Sequence, residues 1–175
     1  MENSKIVIRA ALENDYAEVA RLNTQLQRLH AQARPDLYRM PEEALPADSY
    51  TDWIGDAERF LWVAEITAES NVVPGSFPEL SAYLLYHFEK KPGNCALQSR
   101  HVLFVDDLVV DERLRRSGIG TDLIRLLQQR AREASVDTIE LNVAGFNGKA
   151  ADFYETLGFS VQASRLEFGM AQKGL

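Results

Sequence analysis

β-Branched residues crowd residues 4–10 (Ser-Lys-Ile-Val-Ile-Arg-Ala), a run that reads as a first strand. From Asp15 to Gln32 the apolar positions Tyr16, Val19, Leu22, Leu26 and Leu29 recur at three- and four-residue steps, predicting a helix with one buried stripe. Pro35 ends that pattern, and the proline-rich stretch from Arg34 to Asp48 reads as a loop leading to a second helix around Tyr50–Asp56. Residues 59–66 and 80–89 read as strands, separated by a surface loop over Asn71–Pro78, with a turn over Lys90–Asn94. The most hydrophobic strand, 101–110, is expected to sit centrally. A helix over Gly118–Ala134 follows, with Ile119, Leu123, Leu126, Leu127 and Ala131 inward, then a strand at 138–143, a helix over Gly148–Leu157 and a final strand pair across 159–170.

The second half therefore alternates strand and helix, which crossover connections fold into a parallel or mixed sheet covered by helices. Ligands of such sheets lie beyond the carboxyl ends of the strands at a switch point, which directs attention to the segment after Val110.

At 175 residues, 46% hydrophobic and 26% charged, the chain can bury a core without staples and is too short for two full-sized domains. The longest apolar runs fall far short of the ~20 residues of a membrane helix, and the N-terminus shows no signal-peptide core. A net charge of -7 argues against a nucleic-acid surface. It permits a cationic substrate, although acidity for solubility explains the total equally simply. Cys95 is the only cysteine, so no disulfide framework or thiolate cluster exists, and a reducing cytoplasm is the expected location. His30, His87 and His101 lack metal-ligand spacing and read as ordinary histidines; no metal is assigned.

After the 101–110 strand comes Asp111-Glu112-Arg113-Leu114-Arg115-Arg116-Ser117-Gly118-Ile119-Gly120-Thr121, an Arg-x-x-Gly-x-Gly turn opening a helix. Free N–H groups and the positive end of the helix suit a polyphosphate, glycine admits close approach, and Arg115 and Arg116 reverse the local charge. The plain alternative is an ordinary glycine turn. A dinucleotide fingerprint wants a third glycine where Leu123 stands, which disfavours a nucleotide-dependent oxidoreductase. Asn147-Gly148-Lys149-Ala150 lacks the hydroxyl residue of a phosphate loop and is a decoy.

These residues resemble motif A of the GNAT superfamily of acyl-CoA-dependent N-acetyltransferases: strand residues Leu108-Val109-Val110, an acidic turn, Arg115-Arg116-Ser117-Gly118-Ile119-Gly120, and an amphipathic helix. A second block, Asn147 to Phe159, resembles the superfamily's Asn-x-x-Ala-x-x-Phe-Tyr-x-x-x-Gly-Phe. The resemblance implies an α/β fold with a mixed, largely antiparallel sheet, a splayed parallel strand pair and helices on both faces, in one domain over residues 1–175. It implies acetyl-CoA as donor, its pyrophosphate on the N–H groups of Arg116 to Thr121, and its pantetheine arm beside Leu108, Val109 and Val110 where strands 101–110 and 138–143 part. Direct attack by the amine is implied too, and no Gly-x-Ser-x-Gly elbow or cysteine–histidine pair contradicts it.

By the same resemblance Tyr154 protonates the leaving thiolate, although Ala150, Ala151, Tyr154 and Leu157 also share a helical stripe that suits packing. Asn147 fits a helix N-cap as well as a cofactor contact, and Gly158 a left-handed C-cap. Asp106 and Asp107 are adjacent carboxylates in the most apolar strand. Strand neighbours point to opposite faces, so a regular strand would bury one of them unpaired. A β-bulge or an open cleft relieves that conflict. The resemblance, which extends to the acidic pair of polyamine acetyltransferases, implies that an acid here guides or deprotonates the amine. Asp106 is shorter than the glutamate of those relatives, so it is assigned to proton relay through water and Asp107 to substrate binding. Ion-paired structural aspartates are the alternative. Asp36 and Tyr38, in the loop after the first helix, are expected to line the acceptor pocket.

The expected activity is acetyl transfer to the primary amine of a small cationic molecule such as a polyamine or an aminoglycoside-like compound. A peptide or protein N-terminus, or an acyl-CoA sensor without turnover, are the alternatives. A homodimer is compatible with this reading.

Overall fold

The computed structural model describes residues 5–67 and 80–169; the expected loop over Asn71–Pro78 lies outside them. The chain groups into two compact units, residues 1–142 and 143–175. The first contains β1 (Lys5–Ala10), α1 (Tyr16–Ala33), α2 (Ala47–Gly55), β2 (Arg59–Thr67), β3 (Leu80–Lys91), β4 (Arg100–Val110), α3 (Ile119–Glu133) and β5 (Thr138–Leu141). The second contains α4 (Gly148–Thr156).

The five strands form one sheet in the order β1-β2-β3-β4-β5. The first three pairings are antiparallel and β4–β5 is parallel, joined through α3. The middle strand is thus β3, with the expected centre, β4, beside it. Seven consecutive residues of β3, Leu80 to Tyr86, are buried, because both faces of this strand are covered. On one face Tyr83 and Leu85 join Val19 and Leu22 of α1, Tyr50 of α2 and Leu61 and Val63 of β2 in a core cluster. The alternate residues Ala82, Leu84 and Tyr86 turn to the other face, where α3 packs on β3, β4 and β5 through a stripe that includes Leu123, Ile124 and Leu127. Helices therefore lie on both faces of a mixed, mainly antiparallel sheet, as expected.

The start of α1 is fixed by charge. The Asp15 carboxylate accepts the Leu12 N–H at 2.8 Å and binds the Arg9 guanidinium through both oxygens at 2.6 and 2.9 Å. Those bonds, the Arg9 contact first, hold its carboxyl below the usual range despite burial.

The predicted strand pair at 159–170 is not found. Residues 159–169 carry no strand, and Val161, Leu166 and Phe168 are strongly exposed. A strand needs a partner edge for its amides; among the described residues the sheet runs from β1 to β5 and does not include this segment.

Candidate active site

The register of β3 and β4 shifts between Leu85 and Tyr86, which pair with Asp107 and Val105. Asp106 is the extra residue, so the conflict posed by two adjacent carboxylates is resolved by a β-bulge. The bulge sends both acids to one face. Asp107 accepts a hydrogen bond from the Tyr83 hydroxyl at 3.1 Å, and Asp106 lies 2.9 Å from Nδ1 of His87. Tyr83 and His87 are four residues apart on β3 and share a face. Behind Tyr83, the Asn23 amide of α1 donates to the same hydroxyl at 2.9 Å.

The two acids differ in electrostatics. Burial pushes the Asp107 carboxyl above the usual carboxylate range, and the neighbouring Asp106 charge adds to the rise. The Tyr83 phenol, wholly buried and facing Asp107, is held well above its ordinary value, so it stays a proton donor to that carboxylate. Asp107 is thus the more shielded of the two acids, whereas Asp106 is half-open to solvent against an imidazole.

The bulge coincides with a parting of strands. Pairing of β4 with β5 ends at Val105↔Leu141, while β4 runs on to Val110 with β3 alone as neighbour. Among the described residues, Asp106–Val110 therefore presents one free main-chain edge. A free edge of this kind can take an extended ligand as an added strand.

Beyond that edge the chain turns on Asp111. This fully buried carboxylate accepts the Arg113 N–H at 3.0 Å, the Arg113 guanidinium at 3.0 and 2.9 Å, and Arg21 from α1. The Asp111 N–H donates to the Ser81 carbonyl at 2.8 Å, and Gln25 receives the Glu112 N–H at 3.0 Å. The Arg113 contacts, followed by Arg21, hold the Asp111 carboxyl far below the usual range. The turn is therefore clamped to α1 and β3 rather than left to local preference.

Past the clamp the backbone alternates in hand. Arg116 has φ 67° and Gly118 φ 95°, with Ser117 between them on the ordinary side. Alternating hands bring successive N–H groups to a common concavity that attracts anions. The first intrahelical bond of α3 runs from the Asp122 N–H to the Gly118 carbonyl at 3.0 Å, so the N–H groups of Ile119, Gly120 and Thr121 precede the ladder. Nothing lies within 4 Å of where a Gly118 Cβ would stand, which leaves backbone conformation as the reason for glycine there. Arg115 and Arg116 are exposed beside this cradle. The free edge and the cradle follow one another along the chain, the arrangement an extended thiol arm ending in a pyrophosphate needs.

In the second unit the Asn147 side chain caps α4 by accepting the Ala150 N–H at 3.3 Å. The helix closes on Gly158 at φ 89°: the Gly158 N–H reaches the Glu155 carbonyl and the Phe159 N–H the Tyr154 carbonyl. Tyr154 is half-buried between the rings of Phe153 and Phe159, at 5.1 and 5.4 Å.

The α1–α2 loop residues have other engagements. Asp36 is chelated by Arg34 at 2.8–3.2 Å and Tyr38 packs on the His30 ring at 5.0 Å. No hydrogen bond or ring contact joins either to the acidic pair among the described residues. Sequence reasoning missed the Asp111 clamp, the Asn23–Tyr83–Asp107 chain and the His87–Asp106 contact. An aspartate ahead of a short helical turn is a cap signal that marks Asp111; the other two depend on strand register. Among the described residues no cluster of histidine, cysteine and carboxylates is placed to hold a metal, and no helix is long and apolar enough to cross a membrane.

Comparison with known proteins gives the same picture. The acetyltransferase (GNAT) family matches residues 23–159. The thialysine N-epsilon-acetyltransferase of Sus scrofa is 28% identical over 156 residues, covering 89% of this chain and 84% of the relative. A Bacillus halodurans protein solved as a point mutant superposes with a TM-score of 0.84 at 30% identity, covering 94% of this chain and 99% of the other. The aminoglycoside 6'-N-acetyltransferase of Acinetobacter baumannii shares the fold alone, with a TM-score of 0.66 at 17% identity over 95% of this chain and 99% of the other. A bulged strand that parts from its parallel neighbour and runs into a turn of free N–H groups is compatible with acetyl transfer from acetyl-CoA, and the chain belongs to the GNAT family of acetyltransferases.

Proposed function

We propose that this enzyme transfers an acetyl group from acetyl-CoA to the primary amine of a small cationic molecule of the thialysine and polyamine class. The observation that carries the reading is the bulge at Asp106, which turns two carboxylates to one face at the start of the free β4 edge. An ammonium group is drawn to such a pair, and a substrate amine seated there lies beside the strand expected to hold the thioester. The thialysine N-epsilon-acetyltransferases among its relatives support the same class. Asp106 and Asp107 are favoured over Asp36 as the ammonium site because the charge of Asp36 is already balanced by Arg34.

The donor fits the residues present. The N–H groups of Arg116 to Thr121 would receive the pyrophosphate with Arg115 and Arg116 as counter-charges, and the main chain of Leu108 to Val110 would take the pantetheine arm. Bound there, acetyl-CoA supplies an activated acyl carbon. The acceptor amine then loses a proton on the acidic face, where Asp106 lies on the proton path and Asp107 holds the cation. Tyr154 is assigned proton donation to the departing sulfur from its place in the second motif; a phenol is neutral at pH 7 and able to donate. Asn147 is occupied as a helix cap, with a cofactor contact left to its free lone pair. The catalytic domain is taken to span the whole chain, because the family match crosses from the first unit into the second. A single exposed cysteine fits a reducing cytoplasm.

The test is thiol release from acetyl-CoA with a panel of thialysine, spermidine, an aminoglycoside and a peptide N-terminus, with the product weighed by mass spectrometry. Acetylated thialysine or spermidine at the highest kcat/KM is expected. Preference for the peptide, or coenzyme A binding with no turnover of any acceptor, refutes the reading.

A further inference from the structure

The contact between His87 and Asp106 has the form of a base held by a carboxylate. An ionised carboxylate only accepts hydrogen bonds, so at 2.9 Å the proton between them belongs to His87 Nδ1. In the neutral ring Nε2 then carries the lone pair, and no described residue hydrogen-bonds to it. Side-chain exposures of 29% for His87 and 27% for Asp106 leave the ring accessible from solvent. A carboxylate behind one ring nitrogen and an open lone pair on the other is how an imidazole is prepared to take a proton.

Its surroundings set the context for that charge. His87 pairs directly with Arg59 on β2 and with Phe104 on β4, whose ring lies 5.6 Å away. Leu85 and Glu89 flank it on the same face of β3, and Asp107 follows Asp106 on the bulge. The charged groups facing the ring are thus Asp106, Asp107, Glu89 and Arg59.

We propose that His87 Nε2 is the base that deprotonates the acceptor ammonium, with Asp106 as its positioning residue. The inference rests on the acetyl-transfer reading and assigns a new residue within it. The step balances. The ammonium N–H bond breaks and its proton goes to Nε2, giving an imidazolium. The freed amine pair forms the C–N bond to the acetyl carbon and the nitrogen gives up its second proton to water, while the C–S bond breaks with its electron pair on sulfur and the sulfur takes a proton from Tyr154, which regains one from water. The imidazolium returns its proton to water. Asp106, held against Nδ1, acts through the ring.

Two measurements test this. Nitrogen-15 NMR of the histidine rings, with His87 assigned by its loss in His87→Gln, reads the tautomer independently of any activity. The Nδ1–H form is expected in the wild type at pH 8, changing to Nε2–H in Asp106→Asn; an Nε2–H ring in the wild type overturns the dyad. Kinetics use acetyl-CoA with thialysine or spermidine, whichever the wild type turns over faster. His87→Gln is expected to lower kcat by about 10²-fold or more, the usual weight of a general base, with the acetyl-CoA KM unchanged and the acidic limb of the pH–rate profile flattened. His87→Ala is expected to regain rate with added imidazole, which a packing defect would not. A folded His87→Gln with wild-type kcat and pH profile overturns the assignment. Absence of wild-type turnover with both amines overturns the acetyl-transfer reading instead, and the NMR result distinguishes the two failures.

Discussion

Replacing Asp111 by Asn tests whether the phosphate-cradling turn is clamped by charge. The side chain keeps its volume and one oxygen, which can still accept the Arg113 N–H, but it loses its charge and turns an NH₂ toward two guanidinium groups. Hydrogen bonds to charged groups contribute roughly 1.5–3 kcal/mol each. Arg113 is 60% exposed and Arg21 30%, so water replaces much of what they lose, most of all for Arg113. Allowing roughly 2 kcal/mol for Arg21 and 1 for the mismatched buried amide, and nothing for the exposed Arg113, gives about 3 kcal/mol. That is at the low edge of what breaking a buried ion pair costs. For a chain of 175 residues this lowers Tm by roughly 6–12 °C. The pH dependence carries the sign. Because the native carboxyl is held below its unfolded value, its stabilisation is complete above the ordinary carboxylate range and is lost as pH falls through the depressed native value. Thermal melts by circular dichroism should show a constant gap between wild type and variant from pH 7 to about 5, closing below pH ~4. A Tm within about 2 °C of wild type at pH 7, or a gap as wide at pH 3, refutes the clamp.

Gly118→Ala meets no neighbour, so its cost is that of a left-handed backbone alone, about 1–2 kcal/mol; Gly118→Asn should cost less and Gly118→Val more in the same melts. Gly120→Asp puts an acid in the first turn of α3, which favours the helix but repels a pyrophosphate. It should keep the wild-type Tm and lose the stabilisation of ~2.7 kcal/mol that coenzyme A gives at 100 Kd. Asp107→Asn removes a carboxyl raised by burial, whose stabilising contribution is present at low pH and lost as pH rises through its native value. The variant should therefore melt higher than wild type at pH 7 but not at pH 3, while its acceptor KM rises. Tyr154→Phe keeps the ring between Phe153 and Phe159 and removes the donor; kcat should fall ~10²–10⁴-fold with acetyl-CoA affinity unchanged, and a wild-type kcat would make the tyrosine a packing residue.

Legibility in the sequence followed the range of the interactions. The turn before α3, the Asn147 cap and the Gly158 closure are local, and spacing alone located them. The bulge was legible because Asp106-Asp107 violates the alternation of a strand, so the anomaly predicted its own relief. The place of β3 at the centre was not, since strand order is set by pairing between distant segments; its unbroken apolar run was nevertheless the better sign of two covered faces. The expectation of strands at 159–170 was not met over 159–169: Leu166 and Phe168 alternate as a strand would, but alternation does not supply a partner edge, and both are exposed. Neither the partner of Asp106 nor that of Asp107 was visible, because a shift of one residue in the β3–β4 register would exchange which side chains meet.

The central claim is that the free edge of β4 and the turn after it together receive acetyl-CoA. Amide hydrogen exchange of the wild-type protein with and without coenzyme A measures this directly. Protection confined mainly to peptides covering residues 108–121, strongest over Arg116 to Thr121, is predicted. Binding with unchanged exchange across that segment, or with protection centred elsewhere, would contradict it.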